Sequence, residues 1–108
     1  MIVDDRAVAG ALRVLHEAPQ SLSGLTYRAR KAEAMLRAVK SIEMKRFNQL
    51  PIAGQEREAY ASEAYKNAID EDASASSALI SLRASIDAAK ITIDIWRTES
   101  ATERASFG

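Results

Sequence analysis

A heptad of small and apolar positions runs through the second half of the chain: Ala61, Tyr65, Ala68, Asp72, Ala75, Leu79, Leu82, Ile86, Ala89, Ile93, Trp96. Its steps alternate between four and three residues, and only Asp72 departs from type. That period lays one seam along one helix and requires a second helix against it, as in coiled coils. Architecture is therefore constrained early, while chemistry is not.

The rest of the chain agrees with an all-α reading. Runs of β-branched residues with period two are absent, so no strand is expected. Two prolines and four glycines leave few helix breaks, and 108 residues suffice for one domain. A first short helix is expected over about residues 4–17, started by Asp4 and Asp5, with Val8, Leu12 and Leu15 on one face and Ala11 beside them. Pro19 and Ser21-Leu22-Ser23-Gly24 read as its end. A second helix follows over about 22–50, with the stripe Leu25, Ala29, Ala32, Leu36, Val39. Glu43 occupies the next seam position, and Phe47 four residues on reads as a stutter. Pro51 to Gly54 reads as the turn, and a third helix extends over about 55–104. The expected fold is a long antiparallel helical hairpin of coiled-coil type with a short N-terminal helix.

If the chain reverses around Ala53, the second helix ends before it has covered the far part of the third. Leu79, Leu82, Ile86, Ile91, Ile93, Ile95 and Trp96 then need cover from the first helix or from another subunit, because so much apolar surface is costly in water. A second apolar row, Ile69, Ala73, Ile80, Ala84, Ile91, Ile95, flanks the seam. Two adjacent stripes point to two neighbours, so a homo-oligomer is expected, with those seven residues as its candidate interface. The small residues Ala73 to Ala78 point to close approach of two backbones.

Little in the sequence suggests catalysis. His16 is the only histidine, and no cysteine is present. Phosphate loops, nucleophile elbows and metal-ligand spacings are missing, so neither an enzyme, a cofactor nor a small-molecule substrate is expected. Glu43 and Asp72 are polar seam positions, a type that more often sets register than catalyses; Arg46 or Lys40 would pair a buried Glu43. The N-terminus has no signal-peptide pattern and no apolar run approaches a membrane span, so a cytoplasmic protein away from membranes is expected.

Charge is informative only locally. Fifteen basic and fifteen acidic residues leave no net charge. Residues 28–46 nevertheless hold seven basic side chains against two acidic ones, a local net of +5. Of these, Arg30, Lys31, Arg37 and Lys45 lie away from the apolar stripe. A second row, Arg83, Lys90, Arg97, Arg104, repeats every seven residues along the third helix, on a different line from Asp87 and Asp94. Both rows are candidates for phosphate contacts on a nucleic acid. The competing reading pairs them with acids across helices: residues 56–72 carry six acids and two bases and would face the basic half of the second helix.

The run Arg30-Lys31-Ala32-Glu33-Ala34-Met35-Leu36-Arg37-Ala38, the proline/glycine break before Glu56-Arg57-Glu58-Ala59, and the closing Leu82-Arg83-Ala84-Ser85-Ile86 and Ile95-Trp96-Arg97 resemble small phage and prophage proteins found beside recombinases. The arrangement is similar to the hairpin recombination mediators of T4-type phages, over about residues 25–104. That resemblance implies an oligomeric helper that binds single-stranded DNA and a recombinase in a bacterial host cell. A secretion-type hairpin of similar size carries a Trp-x-Gly turn, which Leu50-Pro51-Ile52-Ala53-Gly54 does not supply. The alternative is a structural or regulatory coiled-coil adaptor whose charges serve only to pair helices.

Overall fold

The computed structural model describes residues 2–107. It contains α1 (Asp5–Arg46), α2 (Ile52–Ala61) and α3 (Glu63–Phe107), with no strand among the described residues. The fold is all-α and of helical-hairpin type, with α1 and α3 antiparallel where they pack within each unit. Two compact units make it up, Met1–Ser23 with Ile80–Gly108, and Gly24–Leu79.

In the first unit, Val3, Val8, Ala11, Ala89 and Ile93 form the buried cluster, with Val14, Leu15 and Trp96 packed against it. The N-terminal part of α1 thus covers the large apolar residues of α3, and Ile93 and Trp96 are engaged within the chain. Asp4 caps α1, accepting a hydrogen bond from the Ala7 N–H at 2.8 Å, which satisfies one of the free donors of the first turn. The Glu99 carboxylate accepts from the Ile2 N–H at 2.8 Å and from the Val3 N–H at 3.4 Å. These contacts fix the segment that places Val3 in the core.

The expected break at Pro19 does not occur: α1 passes through it. Pro19 removes the donor that would reach the Leu15 carbonyl, a cost of about 3 kcal/mol in a helix interior. The apolar repeat overrides it, because Val8, Ala11, Leu15, Ala18, Leu22 and Leu25 keep the three–four alternation across the proline, and all are buried or half-buried. Leu12, expected on the packed face, instead lies outside the repeat and is 53% exposed.

In the second unit the chain reverses earlier than expected. α1 stops at Arg46, and the Phe47 and Leu50 N–H groups close successive turns onto Met44 and Phe47. Phe47 therefore marks the end of the helix rather than a stutter within it. Pro51 disfavours helical backbone at Leu50 and opens α2, so Ile52, Ala53 and Gly54 are helical, not a turn. The register follows from this: Arg28 meets Glu71, and Lys40 stands 5.0 Å from the centre of the Tyr60 ring. The third helix expected over 55–104 is interrupted once. Ser62 ends α2 with φ −70° and ψ 149°, donating to the Ala59 carbonyl at 2.7 Å and accepting from the Tyr65 N–H at 3.2 Å. Its hydroxyl thereby caps α3.

From Tyr65 to Trp96, every member of the heptad is buried or half-buried. Ala61 is exposed, since it precedes the break. α3 is continuous through Ser74 to Ser77, and Ala75 has no exposed surface. That is the close approach expected of the small-residue stretch.

Candidate nucleic-acid interface

The second unit decides which cations on α1 are already engaged. Arg28 Nε donates to Glu71 Oε1 at 2.9 Å, and its Nη2 reaches Ser74 Oγ at 3.2 Å. Hydrogen bonding to Arg28, then its charge, lowers the Glu71 pKa, and the same contacts raise that of Arg28. Arg37 pairs with Glu33 one turn away at 2.7 Å. Arg46 pairs with Glu43 at 3.1 Å. Lys40 is held over Tyr60. Each of these cations is spoken for by a helix-pairing or intrahelical contact.

Arg30, Lys31 and Lys45 are left. All three are exposed, and among the described residues none has a carboxylate within 4.0 Å. Lys31 and Lys45 are fourteen residues apart, hence on one side of α1 and about 21 Å apart along it. Tyr27, one turn before Lys31, is 68% exposed, and Met35, one turn after, is 49% exposed. Between them a groove of about 300 Å³ opens toward α3, lined also by Arg28, Ala32, Ala68 and Glu71. Ala32 and Ala68 make it possible: with small side chains at facing seam positions, the walls are the longer residues on either side. Glu71 borders the groove but its charge is matched by Arg28, which leaves Lys31 as the uncompensated charge. An aromatic face beside a free ammonium can take a planar ring against Tyr27 and a phosphate at Lys31.

The second basic row differs. Arg83, Lys90, Arg97 and Arg104 are exposed, and among the described residues none is in an ion pair. Asp87 and Asp94 are also exposed and lie three or four residues from Arg83, Lys90 and Arg97. At that separation they share a helix surface with the row and reduce its field. Trp96 gives the row no stacking surface, since it packs on the core of the first unit.

The remaining expected positions fall as follows. Glu43 is 5% exposed, in the seam and paired with Arg46; Asp72 is half-buried in the seam. Leu79, Leu82 and Ile86 are half-buried seam members, whereas Ile91 and Ile95 are 59% and 38% exposed. His16 is exposed on α1. Tyr27 was not among the residues the sequence singled out; its place one turn before Lys31 on the outer side of α1 was the available signal. Among the described residues no group of three His, Asp or Glu side chains is placed to hold a metal, and no helix is long and apolar enough to cross a membrane. No family model, curated protein or solved structure matches this chain.

Proposed function

We propose that this chain is a non-enzymatic accessory protein of the phage recombination type, holding single-stranded DNA along the outer side of α1 and presenting it to a recombinase. The observation that supports it is the exposed Tyr27 ring beside the unpaired Lys31, with Arg30 and Lys45 free on the same helix. Single strands suit such a surface because their unstacked bases offer planar faces while their phosphates follow separated cations. The recombinase as partner rests on the resemblance to mediator hairpins alone.

Binding of a labelled oligothymidylate, followed by fluorescence anisotropy at two salt concentrations, tests this reading. Contacts from three cations give a slope of log affinity against log salt of about −2. Tyr27→Ala is expected to weaken binding about tenfold, within the range for one lost base stack, and Lys31→Glu to weaken it further. Absence of binding at low salt defeats the proposal and leaves the adaptor reading. That reading has its own support in Arg28–Glu71 and Arg37–Glu33, where basic residues serve helix pairing and helix stability.

A further inference from the structure

Within the first unit, α3 carries an apolar stripe that nothing among the described residues covers. Ile80 is 65% exposed, Ile91 59% and Ile95 38%, and Ala84 between them is exposed as well. These residues lie on the side of α3 away from the seam that packs on α1. Ile2, 90% exposed, borders Ile95 across a shallow groove and prolongs the stripe. Single exposed apolar residues need no explanation, but three isoleucines in line on one helix do.

Charge identifies the occupant. Along one edge of the stripe run Arg83, Asp87, Lys90, Asp94 and Arg97, alternating in sign at steps of four, three, four and three. None of them is in an ion pair among the described residues. Two copies of a helix packed antiparallel about a two-fold axis bring the same edge of each together, in reversed order. Reversed about a point between Ala88 and Ala89, the first four members of this pattern fall on their opposites: Arg83 meets Asp94 of the second copy, and Asp87 meets its Lys90. Two residues from that register, Ile80 faces Ile95 and Ala84 faces Ile91. A parallel copy would instead set the charged edge against Ser81, Ala88 and Thr92, which offer no complement. A nucleic acid would leave the two aspartates facing phosphates.

We infer that the outer face of α3 is the docking surface for a second copy of this chain, antiparallel, centred near Ala88. One helix–helix contact of this length is at the small end of stable interfaces, so association is expected at micromolar concentrations. The nucleic-acid surface proposed above is on α1, and the inference does not depend on it.

Sedimentation equilibrium of the full chain tests the assembly, and charge exchange tests the register. Arg83→Asp or Asp94→Arg alone replaces two symmetric attractive pairs by repulsive ones and is expected to weaken the dimer about tenfold. Both changes in one chain restore the pairs and the affinity. Positions 83 and 94 are too far apart on one helix to pair within it, so rescue reports contact between copies. The chain has no cysteine, so Ala88→Cys is expected to cross-link two copies under oxidation and Thr98→Cys is not. A monomer at high micromolar concentration overturns the inference. So does equal cross-linking at both positions, or a double variant no better than the singles. If the native chain is monomeric yet binds the oligonucleotide, this inference fails and the functional proposal stands; a native dimer that binds no oligonucleotide separates them the other way.

Discussion

Arg28 and Glu71 join α1 to α3 by a hydrogen-bonded ion pair at 2.9 Å, a cross-hairpin contact that follows from the register of the second unit. The pair is solvent-accessible, so its contribution to stability is modest and sensitive to salt. Its dependence on pH is definite. Arg28 lowers the Glu71 pKa below the ordinary 4.5. A carboxylate with a depressed folded-state pKa adds stability that is fully present above its unfolded value and is lost as pH falls through the folded one. Denaturant midpoints for the native chain and Glu71→Gln should therefore differ at pH 7 and converge on acidification below about pH 4.5. A constant difference across that range would show that the pair has no linkage to folding.

Glycines on the helices separate backbone freedom from packing. A Cβ added at Gly10 or Gly24 meets nothing within 4 Å. Both lie inside α1, where glycine is less favourable than alanine by about 0.5–1 kcal/mol. Gly10→Ala and Gly24→Ala should each raise the thermal midpoint. At Gly54 the added atom would lie 3.3 Å from Leu50 Cβ and 3.5 Å from its Cδ1. Leu50 is fixed by the turn, so the helix gain there is offset and Gly54→Ala is expected to give no stabilisation. Equal gains at all three sites, measured by circular dichroism melts, would contradict this account of the turn.

Pro19 offers a larger gain. It is exposed within a continuous α1 and leaves the Leu15 carbonyl without its intrahelical donor. Pro19→Ala should stabilise the chain by about 1–3 kcal/mol, less than the full interior penalty because relaxation around the proline already recovers part of it. An unchanged or lower midpoint would mean that the proline shapes α1 in a way its neighbours require.

The seam was legible in the sequence because heptad spacing carries over long distances. Tyr65 to Trp96 fall on the packed side as the spacing requires, and Asp4 starts α1 as its side chain suggests. Local signals misled where a longer-range one opposed them. Pro19 looked like an end, yet the repeat from Val8 to Leu25 runs straight across it. Leu12 looked like core for its size, yet Ala11 holds the periodic position. Ser62 lies inside an apparent helix by spacing, although a serine with an acid directly after it suits a helix start, as N-cap and first-turn charge. Which basic residues were free was readable only in part. Spacing set Arg30, Lys31, Arg37 and Lys45 away from the stripe, yet Arg37 is taken by Glu33, and only the reversal at Leu50 brings Arg28 to Glu71.

Ala75 tests the close approach of backbones in the second unit. It has no exposed surface, so a larger side chain has no room without separating the helices. Ala75→Leu should cost about 1–3 kcal/mol through overpacking. Ala73→Leu, at an exposed position two residues away, should be nearly neutral and controls for helix propensity. If both variants are tolerated equally, the seam is looser than the burial of Ala75 implies.

Glu43 is the charged member of the α1 seam, 5% exposed, and its carboxylate is held by Arg46 at 3.1 Å while that guanidinium reaches solvent. Removing the partner leaves an acid in a packed position with no compensating donor. Arg46→Ala is expected to destabilise the fold by about 1–3 kcal/mol. Part of that loss comes from removing a cation at the C-terminal end of α1, which Lys45→Ala measures alone. Glu43→Leu should be neutral or stabilising, because a well-packed apolar residue avoids the desolvation that an ion pair must offset. The two substitutions thus move stability in opposite directions although each breaks the same contact. Urea denaturation of the three variants reads this out. Should Arg46→Ala cost no more than Lys45→Ala, Glu43 draws no support from Arg46, and the carboxylate is in the seam for register rather than for this pairing.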